Sequence, residues 1–226
     1  MRHFRVTGFL GLVGASCVLA AGVSAAPAPT SFRLTLIGTA HQEWAYTAPP
    51  VQDVGCTRTE LTEGIRTATF RTMEPVVVRL VHGRVLPAVV HGITGIVTLG
   101  GVNTSEQICG DAGTRDTRNC AQTKRSFARA QVRVVSPRRG VLSVEPIGNV
   151  RLVQADCPRE PADVRRRPLG PSAGLLRLPN EALMERRLVR MTLRGSRTQK
   201  REYVSPEKGH LDERVEWQLT FVRAQG

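Results

Sequence analysis

The sequence predicts an all-β protein, an antiparallel β-sandwich with a barrel as the alternative, and three observations carry that reading. Apolar and polar residues alternate at period two over long stretches, the pattern of strands with one buried face. Turn-forming residues recur at short intervals: Pro49-Pro50, Gly83, Pro87, Gly100-Gly101, Pro137 to Gly140, Pro146 to Asn149 and Gly195. No βαβ rhythm and no heptad repeat interrupts them.

Taken in order, the first strand is Ser31–Tyr46. Phe32, Leu34, Leu36, Ala40 and Trp44 occupy its even positions, against Arg33, Thr35, Thr39 and Glu43. Thr57–Thr72 is Thr-rich and carries Leu61, Ile65 and Phe70; its alternation changes phase near Gly64, where a bulge is expected. Val76–His82 is nearly all apolar, as a central strand would be. Val89–Leu99 follows the Leu86-Pro87 break, and Ser126–Val135 sets Ala128, Ala130, Val132 and Val134 against Arg129, Gln131 and Arg133. Val141–Val144 and Val150–Val153 are short, and Leu188–Leu193 alternates again. The last strand, Leu211–Phe221, puts Val215, Trp217, Leu219 and Phe221 on one face. A single short helix is expected over Glu181–Arg187, capped by Asn180 and anchored by Leu183 and Met184.

Residues 158–174 have a different texture, with four Pro, two Gly and the triplet Arg165–Arg167. They read as a mobile loop open to proteolysis. The segment after them is too short to bury its own core, so it is expected to complete the same domain, residues 26–226. FRLTLIGT (32–39) and VRMTLRGS (189–196) form a weak internal repeat, which would set the first strand and a late one in related positions.

The N-terminus sets the compartment. Arg2 and Arg5 precede the uncharged run from Gly8 to Ala26, the anatomy of a secretory signal peptide (residues 1–25) with cleavage after Ala25. An uncleaved anchor would want a more apolar run, and Cys17 lacks the Leu at −3 that lipidation favours. The protein is therefore expected to be secreted or cell-envelope associated, with no transmembrane segment after cleavage. Four cysteines remain: Cys56, Cys109, Cys120 and Cys157. In an exported chain they read as two disulfides, each contributing roughly 3–5 kcal/mol. Three pairings are possible. The favoured one closes the polar stretch Gly110–Asn119 with Cys109–Cys120 and leaves Cys56 with Cys157. Ranked second is Cys120 facing Cys157 across a hairpin about Pro137–Gly140, an arrangement that Pro146 and Gly148 interrupt.

The formal net charge is +13, and +11 without the signal peptide. The excess lies in the second half: residues 161–226 alone carry 14 basic and 8 acidic residues. Such a surface suits an anionic polymer or a lipid surface. The candidate anion-binding residues are Arg165, Arg166, Arg167, Arg186 and Arg187. Specific nucleic-acid recognition is not expected, because aromatics make up only 4% and both Trp fall on apolar faces.

The signal peptide, the LTLIG–Trp first strand, the Cys120-Ala-Gln-Thr-Lys stretch, the Asp156-Cys157-Pro158 step and the run LPNEALMERRLVRMTLRGSRT together resemble uncharacterised exported β-rich proteins of GC-rich Gram-positive bacteria. The resemblance covers most of the mature chain. It implies a β-fold and an extracytoplasmic location, and it implies no activity.

No residue pattern specifies catalysis. His82-Gly83 and His91-Gly92 could meet only if residues 76–82 and 89–97 paired, and no third ligand has metal spacing. Glu60 and Glu63 read as surface carboxylates, and Glu181 with Glu185 as helix-surface residues. Asp111, Asp116 and Asn119 lack the order of a calcium loop. Nucleophile-elbow, phosphate-loop, dinucleotide and zinc-protease motifs are absent. Asn103-Thr104-Ser105 matches a glycosylation sequon, a coincidence in a bacterial-type chain. No catalytic residue, metal or cofactor is therefore expected. The expected function is a non-catalytic exported binding domain; the alternatives are an exported hydrolase with a carboxylate cleft and a carrier of a small apolar ligand.

Overall fold

A computed structural model describes residues 29–147, 157–167, 169–180, 187–204 and 208–224, without the side chains of 163 and 166. The signal peptide and, apart from Arg187, the helix expected over 181–187 lie outside these residues, as does the expected strand 150–153. The described residues form an all-β, antiparallel fold of eleven strands. They are β1 (Thr30–Thr47), β2 (Val51–Asp53), β3 (Cys56–Thr72), β4 (Val76–Val81), β5 (Arg84–Val85), β6 (Ala88–Cys109), β7 (Ala112–Val135), β8 (Val141–Ile147), β9 (Leu175–Arg177), β10 (Arg190–Tyr203) and β11 (Lys208–Arg223). A five-residue helix, α1 (Ala162–Arg166), precedes β9.

The strands hydrogen-bond in the order β10-β11-β1-β3-β6-β7-β8-β9, an open sheet that coils over its own core. Alternation dictates which side chains enter. Phe32, Leu34, Leu36 and Ala40 of β1 and Val215, Trp217, Leu219 and Phe221 of β11 are all buried. The two ends of the sheet approach each other without pairing: the Leu176 side chain of β9 lies against Gly195 of β10. The coil is thus sandwich-like rather than a closed barrel.

Several expectations change in detail. β4 is not central; it continues the line of β3 beside β1, with Val76 opposite Leu34 where Ile37 had faced Arg71. The register of β3 is unbroken through Gly64, so no bulge lies there, and Ile65 faces outward. Irregularities fall instead on the β6–β7 pairing, between Val90 and Ile93, Ile93 and Gly95, and Leu99 and Gly101. Arg129 takes a positive φ of 66° near the second of these, which buries Phe127 and Ala130 and turns Ala128 out.

The favoured cysteine pairing is overturned. The bonds are Cys56–Cys109 and Cys120–Cys157. Residues 110–119 are not a free loop: the chain reverses at Gly110-Asp111 and runs back as β7, so Cys120 comes opposite Gly101. That displaces it from Cys109 by about 27 Å at the ordinary strand rise, too far to bridge. Cys56 and Cys109 are direct cross-strand neighbours with Cα atoms 4.2 Å apart, the close spacing of an antiparallel non-hydrogen-bonded pair.

One transverse row organises the sheet. Across six neighbouring strands the register reads Gly195, Trp217, Gly38, Phe70, Gly95, Phe127. Aromatic and glycine alternate, and the Phe70 ring lies on the bare backbone of Gly38 and the Phe127 ring on that of Gly95. A Cβ at Gly38 would come within 2.5 Å of the Phe70 ring and of the Glu216 carbonyl oxygen; at Gly95 it would meet the Phe127 ring at 2.6 Å and the Thr69 carbonyl oxygen at 2.1 Å. The Phe70 and Trp217 rings contact each other at 4.9 Å, tilted by 60°, a favourable aromatic geometry. The internal repeat has its explanation here. β1 and β10 flank β11 in matched register, so Gly38 and Gly195 sit on either side of Trp217, and Thr35 and Thr192 on either side of Thr220.

Two predictions follow from this architecture. Gly95→Ala should lower unfolding stability in denaturant titration by about 2–3 kcal/mol through overpacking, whereas Gly100→Ala, where a Cβ meets nothing within 4 Å, should change it by less than about 0.5 kcal/mol. Peptide mapping of the oxidised protein should recover Cys56–Cys109 and Cys120–Cys157. Replacing either pair by Ser should cost about 4 kcal/mol, from closed loops of 53 and 37 residues.

Candidate functional site

Two constellations stand out, one inside the sheet and one on its outer face. The inner one begins with residues 158–174, read from sequence as a mobile loop. The described residues of this segment instead plug the inside of the coiled sheet. Val164, Leu169 and Ala173 are buried there, Val164 among Trp44, Tyr46, Leu99 and Leu211. The Cys120–Cys157 bond fastens the start of the plug to β7.

The alternation of β3 that buries Ala68 and Phe70 also points Arg66 inward, where its side chain is wholly buried. Its Nη1 donates to Glu160 Oε1 at 2.8 Å and to the Val164 carbonyl at 2.6 Å, both on the plug. Opposite Arg66 in the register, Gln42 donates to Glu213 Oε1 at 2.8 Å and to the Arg167 carbonyl at 3.2 Å. Arg167 Nη2 lies 3.6 Å from Glu213 Oε2. Burial pushes the Arg66 guanidinium below its ordinary pKa, and the neighbouring carboxylates of Glu160 and then Glu213 push back. This cluster clamps plug to sheet, and its carboxylates are engaged by cations or an amide.

The outer constellation follows the glycine–aromatic row. Every residue of the row turns inward, so on the solvent side a groove of about 1100 Å³ runs along it between the outward side chains of the rows on either side. The neighbouring transverse row on one side supplies Arg194, Gln218, Ile37, Arg71 and Thr94. The transverse row on the other side supplies Ser196, Glu216, Thr39, Thr69, Ile96 and Ser126. The groove thus offers five hydroxyls, two guanidinium groups and two half-exposed isoleucines. Its single carboxylate, Glu216, is held 2.7 Å from Arg214 Nη2. Arg194 is exposed, and its Nε donates to Gln218 Oε1 at 3.2 Å. A paired acid and base for hydrolysis needs a second carboxylate, and this groove has none.

The sequence-predicted residues are scattered. Arg165 is half-buried on α1, Arg167 is turned toward Glu213, and Arg187 is exposed beside Leu188; Arg186 and the Arg166 side chain lie outside the described residues. His82 sits in the β4–β5 turn and His91 on β6, strands that do not pair with each other, and the described residues hold no metal-binding group of three His, Cys, Asp or Glu. Glu60 contacts Arg58 at 2.7 Å and Arg159 at 3.5 Å, and Glu63 is exposed. Arg66, Glu160, Glu213, Arg71 and Arg194 escaped sequence reading. The one available signal was Arg66 falling on the inward parity of β3, which the expected phase change at Gly64 concealed.

The chain matches no known protein family, no curated protein and no solved structure. Its two disulfides fit an oxidising, extracellular setting, and no helix among the described residues is long and apolar enough to cross a membrane.

The clamp yields a measurable asymmetry. Arg66→Met alone should destabilise the protein by about 3–5 kcal/mol, because it leaves Glu160 buried without its cation. Arg66→Met combined with Glu160→Met should recover most of that loss in a double-mutant cycle followed by denaturant unfolding.

Proposed function

We propose that the protein is an exported, non-catalytic binding domain of the cell envelope or medium, and that it holds an extended anionic polymer in the outer groove. The observation that carries this reading is the groove itself. Arg71 and Arg194 flank a floor of exposed backbone, and hydroxyls of Thr and Ser line both rims. Guanidinium groups are suited to phosphate and carboxylate, and hydroxyls to the uncharged oxygens between them. The row crosses six strands, roughly 24 Å at the usual strand spacing, which suits a chain rather than a compact ligand.

The signal-peptide anatomy of residues 1–25 and the two disulfides support export. Membership of the exported β-rich group that the sequence resembles belongs to the same reading. Among the arginines singled out from sequence, Arg187 is the exposed one with a described side chain. Arg167 already faces Glu213, which favours Arg71 and Arg194 as the principal contacts.

The oxidised protein should bind an anionic wall polymer with an affinity that falls steeply as salt rises, and should bind a neutral polysaccharide of similar length far less. Replacing both Arg71 and Arg194 by Ser should weaken binding roughly tenfold or more per residue, with unchanged thermal stability. Absence of binding at low ionic strength, measured by calorimetry or co-sedimentation, would overturn the reading.

A further inference from the structure

We propose that the paired hairpin tip at the far end of β3, β6 and β7 is a docking element, and that it seats in the outer groove of a second copy of this chain. The proposal rests on the groove being open for binding.

Two turns lie side by side at this tip, Val54-Gly55 between β2 and β3 and Gly110-Asp111 between β6 and β7. Val54 is 98% exposed and holds a left-handed φ of 36°. A β-branched residue is strongly disfavoured there, and the first central position of such a turn ordinarily goes to Asn, Asp or Gly. Burial gives nothing back for this strain, because Val54 packs on nothing. Strained positions of this sort collect at functional sites. Val51 on one face of the tip and Ile108 on the other add apolar surface at 60% and 49% exposure. The Cys56–Cys109 bond stands immediately behind both turns, yet neither cysteine belongs to a buried apolar cluster. Its effect is to stiffen the tip, which lowers the entropy lost on docking.

Charge selects the occupant. Asp53 beside Val54 and Asp111 in the neighbouring turn are both exposed, so an anionic lipid or polymer surface would repel the tip. The groove presents the complement: Ile37, 47% exposed, lies between Arg194 and Arg71 in the strand order, and Ile96, 46% exposed, lies one strand beyond Arg71. The sizes agree: β2, β3, β6 and β7 span about 14 Å at the tip, against about 24 Å for the row of six strands. Tip and groove are different patches, so the contact is head-to-tail and propagates into open chains unless its rotation closes a ring. A polymer bound in the groove competes with the tip.

The test is light scattering and sedimentation of the exported, oxidised protein across a range of concentrations at low salt. The average mass should rise with concentration and return to the monomer when salt or anionic polymer is added. Val54→Asp should weaken association roughly tenfold or more while leaving polymer binding intact. Arg71→Glu with Arg194→Glu should abolish both, and adding Asp53→Arg with Asp111→Arg should restore association alone. A protein that stays monomeric at every concentration in low salt, or association untouched by Val54→Asp, overturns the docking proposal. Association that persists in a protein unable to bind polymer upholds the docking and removes the polymer reading.

Discussion

The interaction on which the rest of this structure depends is the stacking of aromatic rings on bare glycine backbone along one transverse row. Trp217, Phe70 and Phe127 fill the inside of the sheet at the level where Gly195, Gly38 and Gly95 offer no side chain. A ring of this size would otherwise need a space between strands, and antiparallel strands leave about 5 Å. With glycine beside it the ring lies flat on the neighbour. The row therefore fixes register: a one-residue slip of any of these strands would drive a ring into a Cβ and turn every buried residue outward. It also fixes the site, because a row whose residues all turn inward leaves its backbone between two rows of outward side chains.

Inside the coil, the protein closes its second, smaller core with chain rather than with sheet. The plug bears Val164 into the space bounded by Trp44, Leu99 and Leu211, and the Arg66–Glu160 pair holds it there. A buried ion pair is weak evidence for net stability, since desolvation opposes the attraction. Its effect is directional: a guanidinium that donates to both a carboxylate and the Val164 carbonyl accepts only one placement of α1. Hydrophobic contact alone would let the plug slide. The Cys120–Cys157 bond adds a covalent limit from the other side.

The two disulfides consequently do different work. One secures the plug near the sheet, and the other staples a remote tip whose hairpins would fray, since a two-stranded ribbon without a core is marginal in water. Exposed groups are then arranged at opposite ends of the long strands: arginine and hydroxyl over the glycine row, valine and carboxylate at the tip.

By itself the sequence determined the class of fold and the faces of its best strands. The even positions of Ser31–Tyr46 and the odd positions of Leu211–Phe221 can be buried in only one way, because strand periodicity is two. It also exposed the repeat of FRLTLIGT in VRMTLRGS, although only the register showed that the two copies flank one tryptophan. The tertiary structure decided what depends on partners distant in the chain. Cysteine pairing hinged on whether residues 110–119 looped or ran back as a strand, which local composition leaves open. The Pro- and Arg-rich segment 158–174 resembled a surface loop because its polar residues give no local hint that Glu160 will meet Arg66 across 94 positions of sequence. The groove was invisible for the same reason: Arg71 and Arg194 become neighbours only through the ladder of strands between them, and a ladder is a property of the folded sheet.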